Sequence, residues 1–158
     1  MAYPWFHVWY RRGMEEMNNH KFADANYYFG RALEINPRSS LTWCYKGLAR
    51  RELGRYERAI SCLKEALKIN KKSPELWKYK AFILEEMGRY VAAVLSYGEV
   101  LALTPADSSI WYRKGMVLNK LGFREKAKVC FLEERRLDIK KSSWEPKEEK
   151  YLHKWSPN

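Results

Sequence analysis

Tryptophan recurs at Trp9, Trp43, Trp77 and Trp111, a spacing of 34 residues held three times running. A fixed period of roughly 20–50 residues marks one structural unit copied along a chain. Each copy buries its apolar face against the next, so the fold is quasi-one-dimensional. Arrays of this kind offer long surfaces for holding a partner, and function must be argued from those surfaces.

Aligning on the tryptophans brings further columns into register. Gly13, Gly47, Ala81 and Gly115 follow one helical turn later. Ala25, Ala59, Ala93 and Ala127 form a second small column, Phe29, Leu63, Tyr97 and Phe131 a large one, and Ala32, Ala66 and Val100 a third small one. Tryptophan plus a small residue four positions on lies on one helix face. The small–large–small triplet is the face of a second helix, packed closely on the first.

Leu53-Gly54-Arg55, Met87-Gly88-Arg89 and Leu121-Gly122-Phe123 punctuate the middle of the units. Glycine just past a helix is a C-cap signal. The first unit has Asn19-His20 there, and asparagine tolerates the left-handed region next best. Asn36-Pro37, Ser73-Pro74 and Thr104-Pro105 separate the units, with Ser or Thr available as N-caps. These signals predict helices at 6–19, 22–35, 40–53, 57–70, 75–87, 90–103, 108–121 and 124–138.

The pattern resembles the tetratricopeptide repeat family. The resemblance covers residues 6 to about 139, as four repeats (6–39, 40–73, 74–107, 108–141). It implies an all-α, right-handed superhelix of antiparallel helix pairs, with each unit's first helix lining a concave groove. Arg12, Lys46, Lys80 and Lys114 depart from the family's frequent leucine. Their stems are expected to pack along the helix with the charge in water.

On that geometry the groove is lined by Tyr10, Arg11 and Met14 in the first unit, and by Tyr45 and Leu48 in the second. Lys78, Tyr79 and Phe82 line it in the third, and Tyr112, Arg113 and Met116 in the fourth. Met14, Leu48, Phe82 and Met116 make one apolar column, with a tyrosine beside it in every unit. Tyrosine gives large contact area at low entropic cost, and methionine adapts to irregular surfaces. The expected ligand is therefore an apolar or aromatic peptide segment of a protein partner. The alternative is that these side chains simply pack between neighbouring helices. Some family members grip a terminal carboxylate with Lys and Asn. The matching places here hold Tyr10, Met14, Tyr45, Glu75 and Tyr79, so no such clamp is expected.

The net charge is +11, and residues 38–72 carry ten Lys/Arg against three acids, or +7 of it. The groove itself is nearly balanced, which argues against nucleic acid tracking along it. A nucleic-acid or anionic-surface contact on the outer face of the second unit is an alternative function, and self-association into a homo-oligomer through exposed ends near Trp5 and Phe6 is another. With 46% hydrophobic and 15% aromatic residues the chain is too apolar for disorder. No apolar run spans a membrane, and residues 1–12 do not read as a secretory signal. Cys44, Cys62 and Cys130 have neither metal-ligand nor closed-disulfide arithmetic, which suggests a reducing, cytoplasmic setting.

No catalytic, metal or cofactor site is expected. His7, His20 and His153 stand apart from any second ligand or triad partner, Glu85-Glu86 point to different helix faces, and no phosphate loop exists. In the fourth unit Glu134-Arg135 replaces pairs such as Ala66-Leu67, so no full fifth unit is expected. Trp144, Tyr151, Leu152 and Trp155 fall on one face of a short amphipathic helix within 142–158, expected to cap the array. Its alternative role is as a docking element.

Overall fold

The computed structural model describes residues 4–142. Within them the chain forms α1 (Pro4–Asn18), α2 (Phe22–Ile35), α3 (Ser40–Glu52), α4 (Tyr56–Ile69), α5 (Pro74–Glu86), α6 (Tyr90–Leu103), α7 (Ser108–Lys120) and α8 (Arg124–Ser142). The boundaries fall within two residues of those read from the sequence, except that α8 runs to Ser142. No Gly or Pro interrupts it, and Lys140 and Lys141 in its last turn complement the helix dipole. The expected capping helix lies outside the described residues.

Each helix packs on its chain neighbours, α1 on α2 through α7 on α8, and α3 also touches α5. This is an α-solenoid: contacts stay local, and the core runs as a seam between the helices. Most of the seam is one cluster from Cys44 to Val117, including Leu63, Ile83, Tyr97 and Val100. A second cluster, around Phe29, closes the first unit. A third, around Leu118, Ala127 and Cys130, closes the fourth.

The tryptophan grid has a specific cause. The indole N–H groups of Trp43, Trp77 and Trp111 donate to the carbonyls of Pro37, Lys71 and Pro105, each at 2.9 Å. Those carbonyls belong to the loops joining one unit to the next, so each tryptophan ties down the loop that precedes its own helix. The basic column completes the motif: the ammonium groups of Lys46, Lys80 and Lys114 lie over the rings of Trp43, Trp77 and Trp111 at 5.7, 4.6 and 5.7 Å. The stems do pack along the helix, and the charge also meets the ring quadrupole. The first unit differs, because Trp9 stacks on Tyr28 and Arg12 lies over Tyr28.

The small column is a steric requirement. A Cβ at Gly13 would come within 2.6 Å of the Phe29 ring, and one at Gly115 within 2.7 Å of Phe131. Each glycine lets the second helix of its unit press its large side chain onto the first.

Two local expectations need correcting. The residue at positive φ in the first unit is His20 (φ 57), not Asn19, because the 34-residue register carries Gly54 back onto His20. Thr104 is not an N-cap. It closes α6, while Asp107 occupies the N-cap of α7. Ser39 and Ser73 do cap, accepting from the amides of Thr42 and Leu76.

Candidate functional site

The odd-numbered helices α1, α3, α5 and α7 present the face on which the sequence places the groove. A cleft of about 310 Å³ spans three of them, lined by Arg51 of α3, Phe82, Glu85 and Glu86 of α5, and Arg113 and Lys120 of α7. A larger one of about 620 Å³ adjoins it, formed by Tyr112, Arg113, Met116 and Lys120 with Glu85. Glu134 and Asp138 of α8 close that cleft. Sequence reasoning assigned Glu134 to the end of the array. Both it and Asp138 lie within the helix read from the sequence at 124–138, and α8 places them beside the groove.

The expected site residues divide into two sets. Tyr10 and Tyr45 are half-buried around Phe29: Tyr45 stacks on it with centroids 5.9 Å apart, and Tyr10 meets Tyr45 edge-on at 6.1 Å. Met14 packs on the same cluster. Leu48, Tyr79 and Phe82 pack on the main core, Phe82 against the Tyr97 ring at 6.0 Å. Burial raises the phenol pKa of both Tyr10 and Tyr79. In these three units the stripe is partly packing material. In the fourth, Tyr112 and Met116 are exposed, 48% and 38% respectively, with Arg113 also exposed beside them.

The groove's basic side chains on α3, α5 and α7 pair with acids of the same face. Arg51 forms a two-pronged pair with Glu86, bridging the second and third units. That hydrogen bond holds the Glu86 carboxyl below its ordinary value and the Arg51 guanidinium above its own. Lys78 of α5 pairs with Asp107, the N-cap residue of α7, at 2.6 Å. Burial works against the Asp107 carboxylate, but hydrogen bonds from Lys78 and Ser109 outweigh it and leave its pKa lowered. Glu85 is the hub: it accepts from the buried Tyr97 hydroxyl at 2.7 Å and sits 3.6 Å from Arg113 and 4.0 Å from Lys120. Burial and then Glu85 push the Tyr97 phenol far above its usual range. Arg113 in turn lies over the Phe82 ring at 4.6 Å. Sequence reasoning missed Tyr97 because it stands in a core column, and Asp107 because Thr104 was the cap expected at that junction.

A groove whose basic side chains are paired with its own acids and whose floor exposes tyrosine and methionine suits a mostly apolar segment rather than a polyanion. Among the described residues no group of three or more His, Cys, Asp or Glu could hold a metal ion. No described helix is long and apolar enough to cross a membrane.

Residues 6–39 and 40–73 each match a model of the tetratricopeptide repeat. A stretch of 54 residues is 43% identical to an uncharacterized protein of Methanocaldococcus jannaschii, covering 34% of this chain and 63% of that one. The match therefore spans less than two thirds of the relative. Among solved structures, MamA superposes with a TM-score of 0.83 at 17% identity, over 88% of this chain and 81% of its own. MamA from Desulfovibrio magneticus RS-1 gives 0.79 at 19%, over 86% and 77%. YrrB, described as a TPR protein with an unusual peptide-binding site, gives 0.74 at 18%, over 84% and 68%. At these identities the likeness is one of fold. With residues 6–73 matched by models of the tetratricopeptide repeat and all four described units built from the same helix pair, the chain is an α-solenoid of the tetratricopeptide-repeat type.

Proposed function

We propose that the odd-helix groove holds an apolar or aromatic peptide segment of a protein partner, seated chiefly on the third and fourth units. The observation that carries this reading is the pair of adjoining clefts from Arg51 to Asp138, with Tyr112 and Met116 exposed at their floor. Tyr10, Tyr45, Leu48, Tyr79 and Phe82 shape the wall from behind, while Arg11, Lys78 and Arg113 set its polar edges. Self-pairing of the charges favours a ligand that brings bulk rather than net charge. The peptide-binding description of YrrB supports the reading by likeness of fold alone. Three free, buried thiols support a reducing, cytoplasmic setting, and burial raises the Cys44 thiol to about 12.

The test is peptide selection on the full chain from a random displayed library, followed by affinity measurement on variants. Selected peptides should be rich in aromatic and large aliphatic residues. Met116→Glu and Tyr112→Glu should weaken them at least about tenfold, the loss of one buried anchor, with helicity unchanged. Peptides that bind both variants like the parent would remove the groove as the site.

A further inference from the structure

The even-numbered helices form the opposite face, and there the junctions between units leave clefts of their own. Between the third and fourth units, α6 and α8 bound a cleft of about 450 Å³ floored by Trp111 and Leu118 of α7. One unit earlier the corresponding cleft, about 400 Å³, is floored by Trp77 and Leu84. The two are the same site in the 34-residue register, and they differ in one informative way.

At the earlier junction Glu57 and Arg89 pair across the mouth at 2.5 Å. Its lining carries both signs of charge: Lys64, Lys80, Arg89 and Glu99. At the later junction Val91 stands in the place of Glu57 and Phe123 in the place of Arg89. Leu95 replaces Ser61, and Gly98 replaces the lysine that overhangs the earlier cleft. The ion-pair bridge is gone, and its positions are apolar and open: Val91 is 62% exposed, Leu95 68% and Phe123 49%. Adjacent exposed side chains of this size mark an interaction surface rather than scattered surface apolarity.

The lining's charge is one-sided. Among the described residues Lys114 and Lys126 are the charged ones lining the cleft, and no acid lines it. Their ammonium groups lie over the rings of Trp111 and Phe123. Two flanking helices over a third form a bed into which another helix can set its side chains.

We propose that this outer cleft is a second docking site, occupied by an amphipathic helix of a protein partner that sets large apolar side chains between α6 and α8 and carboxylates against Lys114 and Lys126. It lies on the face opposite the odd-helix groove and is independent of it. A solenoid with both sites occupied would join two partners.

The experiment uses the full chain and a fluorescent helical probe peptide of about four turns, with leucines at i, i+3, i+4 and i+7 flanked by glutamates. A second probe carries lysines in place of the glutamates. The key variant is Val91→Glu with Phe123→Arg, which installs the ion pair found one unit earlier and so should fold. The expected result is saturable binding of the acidic probe, weakened at least about tenfold by the double variant. The lysine probe should bind at least about tenfold more weakly as well, while Met116→Glu in the groove leaves the acidic probe unaffected. Failure of the acidic probe to bind, or equal binding to the double variant, overturns the proposal. Loss on Met116→Glu alone would move the probe to the odd-helix groove and also overturn it. Light scattering supplies the remaining outcome: a dimer that the double variant dissolves would assign the cleft to a second copy of this chain instead.

Discussion

The three junctions between units are built from the same columns, and each is finished differently on its outer side. At the first, Arg50 stands where Leu84 and Leu118 stand later. Its guanidinium reaches Asn26 Oδ1 at 3.0 Å, Cys62 Sγ at 3.1 Å and the Arg58 carbonyl at 3.5 Å. At the second, Arg89 and Glu57 span the mouth. At the third, Val91 and Phe123 leave it apolar and open. The first two small inward columns stay Gly or Ala and the large one stays apolar or aromatic, while the outer positions differ from junction to junction. The repeat fixes the helix-on-helix seam and leaves each outer position free to specify a separate surface.

That comparison can be broken at several points, beginning with the largest effect. Leu118→Ala removes the floor of the third junction, where the side chain is buried. A loss of about 2–5 kcal/mol in chemical denaturation is expected. A loss no larger than that of a surface substitution would mean that this floor is not part of the core.

Arg50→Leu gives the first junction the residue of the other two but strands the partners of the guanidinium. The expected cost is about 1–2 kcal/mol. If stability rises instead, shape rather than hydrogen bonding decides that junction.

His20 sharpens the contrast between the first unit and the rest, since among the described residues it alone takes a left-handed conformation without being glycine. His20→Gly should stabilise by about 1 kcal/mol by relieving that conformation. An unchanged midpoint would show that the imidazole offsets the strain.

The smallest effect belongs to Arg89→Ala. Its pair with Glu57 is well exposed on both sides, so the change should stay within about 1 kcal/mol. A larger loss would make the bridge a structural strut rather than a cover.

Much of the fold was legible because the columns act through size and backbone freedom. Trp43, Gly47 and Leu63 declare a packed helix pair without any structure at hand, and Gly54, Gly88 and Gly122 declare the turns. What stayed hidden depends on partners far apart in sequence. Nothing in the 34-residue pattern shows that an indole N–H reaches back six residues to the loop carbonyl, or that the lysine one turn on covers the ring. Arg51 pairs with Glu86 from one odd helix to the next, and Lys78 reaches the N-cap of α7, both beyond any helical periodicity. The odd-helix face was legible in the sequence, but its gradation in burial was not. Helix pairing draws Tyr10, Tyr45, Tyr79 and Phe82 partly into the core, whereas Tyr112 and Met116 stay exposed. Charged substitutions at Tyr45 or Tyr79 therefore disturb packing as well as any ligand, and the cleaner probes are Tyr112 and Met116. The outer cleft was missed because Val91 and Phe123 read as ordinary members of their helices until set beside Glu57 and Arg89.

The central claim is that the odd-helix groove of the third and fourth units is where a peptide partner sits. Chemical-shift mapping of the full chain with a selected aromatic peptide tests it most directly. Saturable shifts are expected centred on Phe82, Tyr112, Arg113 and Met116, with Val91, Leu95 and Val129 on the opposite face unmoved. Shifts centred on that opposite face, with the groove residues silent, would contradict it.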